Sequence, residues 1–594
     1  MHPGPHGTPV RESGRRRWRR RVAVAAGIFL TAAGMAALAL PAHAHAAGTT
    51  IAEAAAAAQQ RFGVPAALLE AICYFEGQLS DHGGAPSSDG GYGCVDLARN
   101  SHLDTLDQAA HLLGVPVSSI RASQSLDIAG AAAVLRADAI SLSATHQVPL
   151  TLGGWYGAIA KYSGAHHDVA VRYADEVYRI LQRGLTATAP TGETVRIAPT
   201  AVIPGTATAR NVRTALTLPA DCTSNPGTDY PSAYNCIVPA SYAGVTYDTA
   251  SRPASLPVLA LTVHDTEETL DDTLATFWNE SNRVSIQYVV DTDGTVYQCL
   301  HEKDVAFHNG NFWYNQRTIG IENVGVDAAG YQWYSATEYL GSAVLAAYLL
   351  NKYGIPLDHE HVMSHGTTPA PTLGHSPNHV DPGPYWLWDY YLGLINQQGV
   401  PFAIGNTPSG VIRFNPSSGQ QPDGSGGTET TANDNFFYLY TQPSTASATL
   451  PSESPGDITD ESNNIETMIS YDILAQEPDQ AGTGDIMYEI WYGATLSPPC
   501  WSATGTRAWI AVPPGAAEQG HGTVVTLSAK KNKTASVYGK PGGTSGNIIA
   551  STPCGSAYLS PWTVTVSGTT WYAINYNHRQ AWVSASEVSS TRTT

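Results

Sequence analysis

Two histidines and one aspartate stand out among the side chains of this 594-residue sequence as candidates for chemistry. His264 directly follows an apolar run, residues 258–263, that reads as a buried strand, so its imidazole emerges at the carboxyl end of that strand. His365 closes the string Val362-Met-Ser-His365, and Asp381 opens Asp381-Pro-Gly-Pro384, where two prolines restrict the chain and present the carboxylate rigidly. Two imidazoles and one carboxylate, with a fourth position left open, make a catalytic zinc shell; the metal polarises an amide carbonyl and lowers the pKa of water toward about 7. Spacing alone does not single out this set. His359, His361, His375 and His379 crowd the same region, His361 and His365 form an H-x-x-x-H pair that a helix would bring together, and ordinary core or surface histidines fit the same pattern.

Such side chains need a scaffold, and residues 257–397 supply one. Strand-like runs at 258–263, 286–290, 295–299 and 319–324 surround Asp291-Thr-Asp-Gly294, a hairpin-turn string. Ala336–Tyr353 places Leu340, Val344, Leu345, Tyr348 and Leu349 on one helical face and stops at Gly354, which predicts a helix with a glycine cap. The expectation is a compact α/β domain.

The flanks read differently. Residues 50–184 are predicted helical, with Ala-rich periodic stretches at 51–62, 66–75, 127–144 and 168–182. Residues 185–256 lack a helical period and read as a linker and extended lead-in, in which Cys222 and Cys236 could close a short loop. Gly, Pro and Ser make 403–433 a flexible linker by composition. Beyond it is a weak internal repeat: Tyr438-Leu-Tyr-Thr-Gln-Pro443 parallels Val537-Tyr-Gly-Lys-Pro541, Met487-Tyr-Glu-Ile-Trp-Tyr492 parallels Thr570-Trp-Tyr-Ala-Ile-Asn575, and Arg507-Ala-Trp-Ile-Ala-Val512 parallels Gln580-Ala-Trp-Val-Ser584. Two small all-β barrels, at 434–513 and 522–590, are expected.

Residues 1–46 carry seven arginines, an apolar run and an A-x-A string, which reads as a cleaved export signal and predicts a secreted protein without stable membrane insertion. Its removal leaves 24 basic against 49 acidic residues, a surface unsuited to nucleic acid or to anionic membrane. The 13 Trp and 43% hydrophobic content exclude global disorder.

The wider string around the three candidates resembles the amidase-2 family. Val263-His-Asp-Thr266, Val284-Ser-Ile-Gln-Tyr288, Asp293-Gly-Thr-Val-Tyr-Gln298, Ala306-Phe-His-Asn-Gly310, Ile319-Gly-Ile-Glu322, Ser364-His-Gly366 and Asp381-Pro-Gly383 followed by Trp388 carry the likeness. That family comprises zinc-dependent N-acetylmuramoyl-L-alanine amidases and shares its fold with peptidoglycan recognition proteins, which implies a central mixed sheet. The resemblance implies Zn2+ on His264, His365 and Asp381, Glu322 as general base and acid, and His308 and Asn309 at the substrate. The implied partner is the muramyl peptide of bacterial cell-wall peptidoglycan. Where the family usually has lysine to stabilise the oxyanion, this chain has His379, which can donate the same hydrogen bond; an imidazole gives up its proton at lower pH than an ammonium, so activity should fall more steeply as pH rises. Phe312, Trp313 and Tyr314 could stack on substrate or belong to the core.

Gly63-Val-Pro-Ala-Ala-Leu-Leu-Glu-Ala-Ile-Cys-Tyr-Phe-Glu76-Gly with Gly90-Gly-Tyr-Gly93 resembles lytic transglycosylases of the lysozyme-like superfamily, which implies Glu76 as a second site, with Cys73 and Cys94 bridged. The C-terminal repeats resemble bacterial SH3 domains, with Cys500 and Cys554 one in each copy and Cys299 left buried and free. The rival readings are a peptidoglycan-recognition protein that binds without cutting, and a bifunctional enzyme that also cleaves glycan strands.

Overall fold

The computed structural model describes residues 49–593 except 101, 211, 213–216, 225–226, 327–332, 376–378, 404–408, 416–435, 452–458, 494–506, 529–533 and 553–554. The predicted export signal, most of the 403–433 segment, and Cys500 with Cys554 lie outside the described residues.

The centre is a six-stranded mixed sheet. Its strands are β1 (Tyr234–Asn235), β2 (Ala260–Asp265), β3 (Tyr288–Val290), β4 (Val296–Gln298), β5 (Thr318–Asn323) and β6 (Val362–Ser364), in the spatial order β6-β2-β5-β3-β4-β1. The four strands β6, β2, β5 and β3 run parallel, which explains the unbroken apolar reading of β2: strands covered on both faces lose alternation. β3 and β4 form the expected hairpin, closed where Gly294 N donates to Asp291 O (2.8 Å). The segment 185–256 is more than a lead-in. It contributes an antiparallel pair, Leu185–Thr188 with Thr194–Ile197, and the edge strand β1, beside the disulfide Cys222–Cys236.

Helices cover the sheet. The long one is Ala336–Tyr353, capped by Ser335 at its start and by Gly354 at φ 67° at its end, as its sequence predicts. The N-terminal region forms helices at Ile51–Phe62, α1 (Ala66–Gly77), Thr105–Leu113, Gln124–Leu142, Tyr156–Tyr162 and α2 (His167–Arg183). Two of these, Thr105–Leu113 and Tyr156–Tyr162, fall outside the predicted stretches. Cys73 and Cys94 are bridged, and Cys299 is free and buried. With Ala336–Tyr353 as α3 and Trp388–Gln397 as α4, one continuous apolar core joins Leu68, Tyr173 and Val177 of the helical region to Val263, Ile321, Leu345 and Trp386 around the sheet.

Toward the C-terminus the repeat is visible in strand pairing. Arg507–Val512 lies between Phe436–Tyr440 and Ile486–Trp491, and Arg579–Ser584 lies between Ala535–Tyr538 and Thr569–Tyr576. Four residues inside the predicted linker, Val411–Phe414, are a strand of the first sheet, because Val411 and Phe414 find an apolar core to enter. These sheets dock on the central one through Trp313, Tyr314 and Met363 against Trp571 and Trp582.

Candidate active site

Parallel pairing brings the chemistry together. His264 on β2 is the register partner of Glu322 on β5, and Val263 is the partner of Ser364 on β6, so His365 leaves its strand level with His264. Three carboxyl-terminal strand ends therefore open into one crevice, where open parallel sheets bind ligands. The crevice is a cleft of about 870 Å³ lined by His264, His308, Phe312, Glu322, His365, His379 and Asp381, with Glu267, Glu268 and Arg283 among its further lining residues.

Asp381, carried in by the loop before α4, binds both histidines. His264 Nδ1 donates to its Oδ2 (3.0 Å), and His365 Nδ1 lies 3.2 Å from Oδ2 and 3.0 Å from Oδ1. Burial by itself would raise the Asp381 pKa; the His365 imidazole and the hydrogen bonds from His264, His365 and His379 overcome this and hold it well below the usual carboxylate range. Burial also pushes His365 down to about 4, so its ring is neutral at neutral pH and has a lone pair to offer. The fit to a zinc ion is good. One donor atom from each of His264, His365 and Asp381 lies within 4.8 Å of the others, and Nε2 of His365 is buried without a hydrogen-bond partner among the described residues. His359 and His361, the rivals by spacing, face elsewhere: His359 Nδ1 contacts Thr467 O (2.8 Å), and His361 pairs with Asp358 (2.7 Å).

Glu322 has a buried Oε2 with no hydrogen-bond partner among the described residues. Burial, followed by the charges of Asp381 and Glu268, raises its pKa well above the ordinary value, while a cation on the neighbouring triad would draw it back. His379 stacks on His365, with ring centroids 4.1 Å apart, its Nδ1 3.5 Å from Asp381 Oδ1 and its side chain 55% exposed to the cleft.

His308 lines the cleft and also supports it. Its Nδ1 and Nε2 of His264 are 2.9 Å apart, and its pKa lies well below the usual value because of burial, then the nearby His264 and His365. Gly320 makes this approach feasible, since a Cβ there would lie 2.7 Å from His308 Nδ1 and 2.2 Å from Ile286 Cδ1. Asn309 departs from the expectation. It is fully buried beneath the cleft, where its Nδ2 donates to Thr318 Oγ1 (2.8 Å) and lies 3.2 Å from His308 Nε2, so it braces His308. Of the three aromatics, Phe312 is half-exposed and lines the cleft, whereas Trp313 and Tyr314 are core.

Glu76 is not brought to this cleft. It lies at the end of α1, 6% exposed, and Ala336 N at the start of α3 donates to its Oε2 (3.3 Å). Trp333, just before α3, stacks on His82 at 4.1 Å, and Ser88 Oγ donates to Glu338 Oε2 (2.7 Å), so the α/β region packs against the segments that follow Glu76. Sequence reading could not foresee a contact made across 260 residues. Burial, with the charge of Asp89 adding to it, raises the Glu76 pKa from 4.5 to about 8 against the hydrogen bond from Ala336. A raised folded-state value means stability that is full below 4.5 and is lost as pH rises through about 8. Glu76→Gln should therefore gain melting temperature relative to wild type progressively from pH 5 to pH 8; melting curves that stay parallel across that range would refute the assignment.

Comparison with known proteins follows the same residues. A family profile described as N-acetylmuramoyl-L-alanine amidase matches residues 254–384. The N-acetylmuramoyl-L-alanine amidase A of Achromobacter lyticus is 31% identical over 170 residues, which is 26% of this chain and 89% of that protein. Among solved structures, a complex of the N-acetylmuramyl-L-alanine amidase AmiD from E. coli with anhydro-N-acetylmuramic acid-L-Ala-D-gamma-Glu-L-Lys is similar at 24% identity and a TM-score of 0.21, over 25% of this chain and 61% of that one. A selenomethionine AmpD derivative is similar at 20% identity and a TM-score of 0.22, over 28% of this chain and 96% of that one.

Proposed function

Because the chain belongs, through residues 254–384, to the N-acetylmuramoyl-L-alanine amidases, we propose that it is a secreted zinc hydrolase that cuts the amide between N-acetylmuramic acid and L-alanine in bacterial peptidoglycan. The observation that carries this reading is the convergence of His264, His365 and Asp381 within 4.8 Å, with Glu322 in register beside His264 in the same cleft. A triad without a neighbouring acid-base group would suit binding alone.

His264, His365 and Asp381 would hold zinc, which supplies Lewis-acid polarisation of the amide carbonyl and acidifies water. Glu322, unpartnered at Oε2, takes a proton from the attacking water and returns it to the departing alanine nitrogen. His379, exposed at the rim, donates to the carbonyl oxygen as charge develops there. His308 and Asn309 keep the His264 ring in place. Phe312 offers an apolar face to the sugar or stem peptide. The arginine-rich leading segment, read as an export signal, would deliver the protein to the compartment where peptidoglycan lies, and no helix of the described residues is long and apolar enough to cross a membrane.

Digestion of purified peptidoglycan should release stem peptides with free L-alanine amino termini, stop on chelation, and resume with added zinc. Anhydro-muramic products should be absent, since Glu76 is covered. A zinc-loaded protein that binds peptidoglycan and frees no amino termini would instead be a recognition protein.

A further inference from the structure

β6 is the outermost strand of the central sheet, and the loop that follows it, 365–371, carries His365. An edge position is a poor support for a metal ligand, yet the end of β6 and this loop are held by groups from far along the chain. Ser364 Oγ donates to Glu466 Oε2 (3.1 Å), and Gln580 N donates to Thr367 O (2.8 Å). The Glu461 carboxylate presses on Gly366 so closely that a Cβ there would meet both its oxygens at 2.8 Å. Arg579, 8% exposed, donates from Nη1 to Gly366 O (3.1 Å) across 213 residues of sequence.

Gly366 is the informative residue. Its N–H donates to the backbone carbonyl of Asp381 (2.9 Å), and the peptide before it belongs to His365, whose own N–H donates to Val263 O (3.1 Å), one residue before His264. The His365–Gly366 peptide thus ties two of the three proposed ligands together, and Arg579 holds the peptide that follows it, through Gly366 O.

We infer that Arg579 is a positioning residue for the metal centre, which makes the C-terminal sheets part of the site's supporting shell. Partners beyond the ligands typically change metal affinity 10–100-fold. This inference rests on the amidase reading above and deepens it.

The test uses the full chain and zinc itself, with affinity measured by competition against a chromophoric chelator and ligand geometry read from the visible spectrum of the cobalt-substituted protein. Arg579→Met should keep its circular dichroism, bind zinc about 10–100-fold more weakly and shift the cobalt bands. Arg579→Lys, with one ammonium in place of the planar fork, should fall between Met and wild type. Arg592→Met is the control. Arg592 ties the C-terminal sheets to each other, through Ser409 O (2.7 Å) and an ion pair with Asp472 (2.5 Å), but touches no residue of the 365–371 loop, so Arg592→Met should lower the melting temperature and leave zinc affinity unchanged.

Arg579→Met with wild-type affinity and spectrum would overturn the inference, as would an equal loss in Arg592→Met. If Arg579→Met does not fold, Arg579→Lys decides alone, and wild-type affinity there overturns it. A wild-type chain that takes up no zinc would sink the amidase reading itself, a result distinct from either of these.

Discussion

Glu322→Gln should lower turnover about 10²–10⁴-fold while the protein retains its zinc. Glutamine matches the shape of glutamate, so the strand β5 and its pairing with His264 are left undisturbed. What disappears is a group able to hold and release a proton. Among the described residues the Oε2 atom has no hydrogen-bond partner that could make the carboxylate a structural anchor, so the loss should appear in kcat. Metal content by atomic absorption, measured beside the release of free amino termini, checks both halves. Turnover near the wild-type rate would remove Glu322 from proton transfer.

Asp381→Ala acts on the other half of the site and should be as severe for a different reason. This carboxylate is the only anion of the triad and binds both imidazoles. Without it, zinc would face only two imidazoles on separate strand ends. Affinity should fall by more than about 100-fold, beyond the loss expected of an outer partner, and activity should drop to background. Excess zinc should restore little of it, because the missing ligand also fixes the directions of the two rings. Zinc titration followed by calorimetry measures this directly; affinity within a few-fold of wild type would exclude Asp381 as a ligand.

Local chemistry was legible in the sequence wherever one segment carried its own instructions. The helix Ala336–Tyr353 announces itself by period and glycine cap, and the β3–β4 hairpin by Asp-Thr-Asp-Gly. His264 was readable because an apolar strand points it outward. Choosing His365 over His359 and His361 was beyond spacing, since all three lie near β6 and only register separates them. Asn309 looked like a binding residue because its motif lies at the cleft, but polar side chains beneath a site satisfy one another and leave no mark in composition. Least legible was docking between distant segments. Nothing local to Glu76 announces that α3 will cover it, and nothing in 403–433 announces that Val411–Phe414 will enter a sheet.

The core shared by the helical region and the central sheet bears on how this chain could be cut or recombined. Residues 49–594 form one compact unit, with α3 buried on the side facing the N-terminal helices as well as on its sheet side. A fragment trimmed to 257–397 would leave those apolar faces bare to water and would also lose the grip on its 365–371 loop. The hydrolytic part is therefore not a cassette that can be lifted into a fusion protein. Limited proteolysis should nick surface loops and leave the pieces associated, and the smallest unit worth transplanting is nearly the whole of residues 49–594.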